Sequence, residues 1–600
     1  MIVSTPVTAG TIIGGIVGGI TVLGLTGGSF VVLLFRRVSN SVGIAKPTQR
    51  QLEEENPGTH CPLFRHVPQL TTKLAWRSLG VTPNVPTPIH LCTIHDDLES
   101  GDDGETEEND GDNNKSNNKE TTKKTKTTKN KSKAPQLLQF LVKRDDLISP
   151  TLYGGNKVRT LQHQLAICEA KRESGQSAYK QLVAIGSGGS NQVVATAVHS
   201  YALGWKNNHI IDDDKDKDDT SKKEDKNSNT NIVPNSIIAG WCDDDEPDLD
   251  NTLNMLSVLS MPNVSKFYDW GMPKRISTIL DAFKQTKFVP LMLGGNCISG
   301  VLGQVSGIVE VAEQISTGDS PDVERIYLPV GSACTISGLI VGCVLVREYL
   351  TKQSPGSKIK PGVLSSPNFK IIGCMVHPGF STLNNRFLKF HTNPLFSFMP
   401  LTITHSVKTA CQTLKELGGP DLTRQCMKFI QQNVELRTDN DVVGKYGSHS
   451  ELSRQAAVRY DDDGVVTDLK TGKQPQKELW ICGHFVAKAL QPLLHDLEQQ
   501  QQQQQVEGND DEHPLPPKYM LWMTKSAIQP RGPVDEWSKF TTTSSKTATG
   551  AVTTTTTSDV VKEWANKGQA ECKKYRNGKF STMDGTPDDY RSMMTPIELL

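Results

Sequence analysis

The chain contains no Cys-x-x-Cys pair, although twelve cysteines are scattered through its 600 residues. Without metal-ligand spacing, and in a chain of this size, they read as reduced, mostly buried thiols of an intracellular compartment. A disulfide framework is not expected. Net charge is also lacking: 65 basic residues face 66 acidic ones, and the basic residues cluster only inside polar runs. That balance gives no support for nucleic-acid binding, and none is expected. Neither a GxGxxG turn nor a Walker loop is present, so nucleotide binding has no support. Apolar residues are scarce in four stretches: Asp96–Lys133, Ile211–Thr230, Gln499–Gln505 and Thr541–Ser558. Such segments bury too little apolar surface to offset chain entropy and are expected to be disordered.

One long hydrophobic run is present. Ala9 to Phe35 carries no charge and is closed by Arg36 and Arg37. It is long enough to cross a bilayer as a helix, and the flanking charges place the following chain on the cytosolic or matrix-like side. Gly10, Gly14 and Gly18 are spaced as a helix-pairing face would be, and compositional bias explains them equally well. A cleaved organellar presequence is the competing reading, and a single-pass anchor over residues 1–38 is preferred. A linker with one short helix is expected over 39–85, the main globular domain over 86–535, and a loosely ordered polar tail over 536–600. Insertions at about 96–133, 211–230 and 498–513 fall between predicted elements and read as surface loops.

Within 86–535 the pattern alternates strand and helix. Leu138–Lys143, Leu182–Ile185, Ser236–Trp241, Val289–Leu293, Arg325–Val330, Phe369–Val376 and Tyr519–Met523 read as strands. Lys157–Ala170, Val193–Leu203 and Leu253–Leu259 read as helical. This alternation predicts an α/β fold with parallel sheets flanked by helices.

Four segments carry chemistry. Tyr153-Gly154-Gly155-Asn156-Lys157 sets a lysine at a helix start behind two glycines, where the backbone can approach a ligand closely. By itself Lys157 reads first as a solvated helix-start charge behind an Asn156 cap. A neutral amine forms Schiff bases with carbonyl compounds. Gly186 to Gln192 turns from a strand into a helix and exposes N–H groups at its positive end. Ser190 or Asn191 would serve there as a plain N-cap on the bland reading. Val330-Gly331-Ser332-Ala333-Cys334-Thr335 is a further strand-to-helix turn suited to a phosphate. Leu293-Gly294-Gly295-Asn296, followed by Gly300 and Gly303, is the fourth.

Lys143-Arg144-Asp145-Asp146-Leu147 followed by Gly154-Gly155-Asn156-Lys157-Val158-Arg159 resembles the signature of fold-type II enzymes dependent on pyridoxal phosphate. The subgroup is that of D-cysteine desulfhydrase and 1-aminocyclopropane-1-carboxylate deaminase. Ser190-Asn191-Gln192, the Gly294–Gly303 turn, the Gly331–Gly338 loop, Tyr446-Gly447 and Lys518–Thr524 follow in the family's order, from about Thr87 to Arg531. The resemblance implies a two-domain fold, like the β-subunit of tryptophan synthase, and a homodimer. It implies that Lys157 binds pyridoxal 5′-phosphate as a Schiff base and shuttles the Cα proton, with Asn156 beside it among the cofactor-binding residues. Asn191 would bond the ring hydroxyl, and Ser190 would lie by the substrate carboxylate or act as nucleophile or base. Gly331, Ser332 and Thr335 would cradle the phosphate, Tyr446 would be an active-site tyrosine, and Thr524 would face the pyridine nitrogen.

Two departures stand out. The family's late tyrosine falls on Phe485, within Cys482-Gly483-His484-Phe485-Val486-Ala487-Lys488, and the terminal Thr-Gly-Gly reads Thr524-Lys525-Ser526. Opening a cyclopropane leans on tyrosine assistance, whereas β-elimination needs chiefly Lys157 and an electron sink. The expected reaction is therefore the conversion of D-cysteine to pyruvate, ammonia and sulfide. Deamination of the cyclopropane acid is the alternative, and a membrane-anchored scaffold that keeps the cofactor pocket is a third reading. His484 reads as structural.

Overall fold

A computed structural model describes residues 42–80, 86–96, 136–149, 153–176, 179, 181–187, 190–205, 236–242, 254, 258, 261 and 263–269. It further describes 289–291, 293–352, 359–377, 387–388, 398–444, 450–475, 479–482, 485–506, 517–526, 529–531, 543–546, 552–555 and 594–596. The apolar run 9–35, most of the two charged insertions, Tyr446 and His484 lie outside the described residues.

The first described segment departs from the expected linker. It forms the short helices α1 (Gln49–Glu55), α2 (Pro57–His60) and α3 (Pro62–His66), and buries Val42, Leu63, Phe64, Val67, Leu70, Leu74 and Trp76 in the main core. Gln51 Nε2 donates to the Ala166 carbonyl at 3.0 Å and to Glu169 Oε2 at 2.7 Å, tying the segment to the helix that Lys157 begins. Proline at 57, 62 and 68 breaks the stretch into pieces too short to show a helical period, which is why it read as linker.

The parallel-sheet expectation holds, with antiparallel additions at the flanks. Strands β1 (Ile89–Asp96) and β2 (Gln136–Lys143) pair antiparallel, with Ile89 opposite Lys143. The chain then enters α4 (Lys157–Glu173), β3 (Gln181–Ser187), α5 (Asn191–Ala202), β4 (Ser236–Cys242), β5 (Val264–Asp269) and β6 (Val289–Leu291). The last four strands make a wholly parallel sheet in the order β5-β4-β3-β6. Next come α6 (Ile298–Thr317), β7 (Arg325–Val330), α7 (Cys334–Glu348), β8 (Lys370–Met375), β9 (Phe387–Leu388), α8 (Phe398–Glu416) and α9 (Thr423–Asn433). Then follow β10 (Val434–Arg437), α10 (Asn440–Val443), α11 (Glu451–Asp463), β11 (Gly464–Asp468), α12 (Val486–Val506) and β12 (Tyr519–Trp522). The larger sheet has eight strands in the order β11-β1-β2-β12-β7-β8-β10-β9, and its middle, from β2 to β10, is parallel.

Burial on both faces of this sheet accounts for the unbroken apolar runs of its central strands. Met520 and Trp522 of β12 point into the core shared with α6 and α7, while Tyr519 and Leu521 point into a second core under α11 and α12. Ile326 and Leu328 of β7 join the first core and Tyr327 the second. The stretch Cys334–Lys352, which begins with α7, is long and apolar enough to cross a bilayer, yet it is mostly buried inside the protein. Ten cysteines among the described residues are free and buried, as expected.

Two low-complexity segments differ from expectation. Helix α12 continues through the glutamine run to Val506, and Gln501 Nε2 donates to the Leu137 carbonyl at 2.7 Å. Glutamine is a good helix former, and here it extends a helix already anchored by apolar packing. In the Thr-rich tail, Thr543–Lys546 pairs antiparallel with Val552–Thr555, consistent with the strand preference of β-branched residues.

Candidate active site

Lys157 opens α4 from a turn that only glycine can make. Gly155 has φ +80°, and a Cβ there would stand 2.7 Å from the Thr524 carbonyl oxygen; one on Gly154 would stand 2.5 Å from that of Asp146. The Gly154 N–H donates to Ser526 Oγ at 2.7 Å. Thus the turn carrying the lysine is clamped to the segment that follows β12. Lys157 Nζ donates to the Gly294 carbonyl at 3.0 Å. Burial pushes the lysine pKa down from its ordinary value, which favours the neutral, nucleophilic amine.

Gly294 belongs to the turn after β6 and has φ +60°. A Cβ on it would lie 2.3 Å from Ser332 Oγ, so the turn sits directly against the Gly331–Ala333 loop. Ser332 Oγ donates to the same Gly294 carbonyl at 3.3 Å, and Asn296 Nδ2 donates to the Ser332 carbonyl at 2.7 Å. Ser406 Oγ on α8 in turn donates to Asn296 Oδ1 at 3.1 Å. The loop ends at Ala333, with φ 68° and ψ −3°, immediately before α7. Left-handed backbone just ahead of a helix converges N–H groups into an anion-binding nest at the positive helix end. Thr335 Oγ1 accepts from Asn156 Nδ2 at 2.7 Å, which leaves the threonine its own proton to donate. Cys334 follows the nest at the start of α7, and burial pushes its thiol up to about 11, which keeps it protonated.

Asn191 begins α5 and is buried. Its Oδ1 accepts from the Tyr153 hydroxyl at 2.8 Å and from Asn254 Nδ2 at 2.9 Å. Ser190 is the N-cap residue by position, but its side chain makes no capping hydrogen bond, so the plain-cap reading fails for it. Thr524, just past β12, has a buried hydroxyl oxygen without a hydrogen-bond partner. Phe485 Cε1 lies 3.8 Å from where a Cβ on Gly331 would be, so its ring edges the nest. Lys525 turns away: its Nζ sits 4.0 Å above the Trp480 ring, in the second core.

The structure therefore brings together Lys157, Asn156, Gly331, Ser332, Thr335 and the Gly294 turn, and it closes Thr524 against the lysine turn. Gly188 and Gly189 lie outside the described residues, as does Tyr446. Sequence reasoning had given no role to the Gly294 carbonyl, Tyr153, Asn254, Asn296 or Gln304, whose Nε2 donates to the Asn156 carbonyl at 2.6 Å. Tyr153 and Gly294 sat inside motifs already singled out. Asn254 and Asn296 had no local signal.

Beneath the site lies a buried ionic cluster. Arg159 Nη2 donates to Asp145 Oδ1 at 2.7 Å and to Glu310 Oε1 at 2.9 Å. Lys143 Nζ donates to Glu310 Oε1 at 2.6 Å, and Trp522 Nε1 donates to Asp145 Oδ2 at 3.0 Å. An amine of lowered pKa, an anion nest, an amide and an unpaired hydroxyl together suit a phosphorylated aldehyde carrying a ring hydroxyl and a ring nitrogen.

No family model matches the sequence, and no curated protein matches it. Among solved structures, the chain is similar to an ACC deaminase homologue at 16% identity, covering 65% of this chain and 85% of that one, with a TM-score of 0.38. Similarity also extends to the Escherichia coli diaminopropionate ammonia lyase in complex with an aminoacrylate-PLP azomethine reaction intermediate. There the identity is 10%, the coverage 65% and 79%, and the TM-score 0.34. A hydrogen sulfide-producing enzyme from Fusobacterium nucleatum is similar at 11% identity, with coverage of 74% and 87% and a TM-score of 0.34.

Proposed function

We propose that this chain is a pyridoxal-phosphate-dependent lyase or deaminase of small amino acids, with β-elimination from D-cysteine as its preferred reaction. The observation that carries the reading is the Gly294 carbonyl, which accepts from both Lys157 Nζ and Ser332 Oγ. One oxygen thereby holds an amine of lowered pKa and an anion cradle in a single site, as a molecule bearing both an aldehyde and a phosphate requires.

The residues present fit that cofactor. The N–H groups of the Gly331–Ala333 loop, with the Thr335 hydroxyl, would hold the phosphate. Asn191 would meet the ring hydroxyl, and the unpaired Thr524 hydroxyl would meet the ring nitrogen. A hydroxyl there leaves the nitrogen largely unprotonated, which suits elimination. When bound, pyridoxal phosphate supplies the electron sink that makes an amino acid's Cα–H acidic. Lys157, its pKa lowered by burial, would take that proton and later return it. Ser190, buried and free of capping duty, would meet the substrate carboxylate. With D-cysteine, loss of the Cα proton and scission of the Cβ–S bond give sulfide, and water then releases ammonia and pyruvate. Phe485 has no proton to lend beside the nest, which favours this route over opening of 1-aminocyclopropane-1-carboxylate.

The test is spectroscopic first. Full-length protein supplied with pyridoxal phosphate is expected to be yellow, and Lys157→Ala to lose the visible band. A colourless wild type overturns the cofactor reading. Pyruvate and sulfide from D-cysteine are then assayed beside 2-oxobutyrate from the cyclopropane acid. Product from the latter alone overturns the preferred reaction and leaves the cofactor assignment standing.

A further inference from the structure

Tyr153 takes no part in the chemistry above, yet both of its ends are held by α5. Its hydroxyl donates to Asn191 Oδ1 at 2.8 Å, and its backbone carbonyl accepts from His199 Nε2 at 2.7 Å. Asn191 and His199 stand roughly two turns apart, about 12 Å along the helix. The tyrosine is fully buried, so it lies along α5 as a splint between the lysine turn and the opposite wall of the site. Asn254 Nδ2 approaches the same Asn191 oxygen at 2.9 Å. With two donors on its oxygen, the Asn191 amide must present its N–H groups on the other side. A flipped amide would set the NH2 of Asn191 against the NH2 of Asn254, two donors face to face.

We propose that Tyr153 is a positioning residue which, together with Asn254, locks the Asn191 carboxamide so that its N–H groups meet the ring hydroxyl oxygen of the bound cofactor. This rests on the pyridoxal-phosphate reading and deepens it. The tyrosine acts through Asn191 and touches no reacting atom. It also couples the two walls of the site, because the residue that orients Asn191 lies in the same Gly-Gly turn that presents Lys157.

A hydrogen bond to the ring oxygen favours its ionised form, which gives the yellow colour. Wild type, Tyr153→Phe, Asn191→Ala and the double variant, all full length and loaded with pyridoxal phosphate, are titrated from neutral to alkaline pH in the spectrophotometer. Tyr153→Phe is expected to move absorbance from the visible to the near-ultraviolet band and to weaken cofactor binding by about tenfold, the scale of one hydrogen bond to a charged acceptor. Asn191→Ala should reproduce the shift, and the double variant should add nothing to it. Asn254→Ala, which leaves the tyrosine ring in place, should shift the spectrum in the same direction. A Tyr153→Phe protein with wild-type spectrum and affinity overturns the inference and leaves the cofactor reading intact, as does a shift that adds in full to that of Asn191→Ala. A colourless wild type overturns both.

Discussion

Thr524 shows how a residue can cost stability and still be retained. A buried hydroxyl without a partner is unfavourable by about 1–3 kcal/mol, and nothing among the described residues relieves this one. Thr524→Val keeps the shape and removes the polar atom. The apo protein is expected to melt at the same temperature or slightly higher, while the added stability conferred by pyridoxal phosphate shrinks. Thermal unfolding with and without the cofactor checks both signs, and a clear loss of apo stability would show that the hydroxyl has a protein partner instead. Lys525 was legible as a departure from the family pattern, but its place over Trp480 was not, because alternation along an extended segment sends neighbours to opposite faces.

Among elements, α6 and α7 decide how the nest is held. A Cβ on Gly338 would lie 2.3 Å from Gln304 Cβ and 2.8 Å from the Val301 carbonyl oxygen, so the two helices touch almost backbone to backbone. Gly338→Ala must push α7 off α6. A destabilisation of about 1–3 kcal/mol is expected by urea unfolding, together with weaker cofactor binding, because α7 carries the nest at its start. An unchanged urea midpoint would contradict this packing. At this scale the sequence was most readable where an apolar strand ran into glycines and then a helix: β3, β6 and β7 were foreseen, as were the turns after β6 and β7. It was least readable where partners are remote. Pairing of β1 with β11, and docking of residues 42–80 on α4, depend on contacts between residues far apart in the chain and leave no local period.

For the whole molecule, burial of neutral imidazoles adds to the loss of stability in acid. His163 and His199 are completely buried, and burial pushes both down to about 4 from an ordinary 6.5. Between those values the unfolded chain binds protons that the folded one refuses. Their contribution is thus fully present above about 6.5 and is lost as the pH falls towards 4, at about 1.4 kcal/mol per pH unit for each group. Urea midpoints measured down that window should fall steadily, and the fall should lessen in His163→Asn; a flat profile would contradict neutral burial. The glutamine run has a consequence of another kind. Because it is the last part of α12, whose first turn follows Phe485 at the nest, a change in repeat length would be read as geometry. Each added glutamine that stays helical would carry the helix end about 1.5 Å outward and swing it by about 100°. A repeat of this sort works as a ruler and a dial together: a change in its length would re-aim the far end of α12 while leaving its start beside the nest untouched.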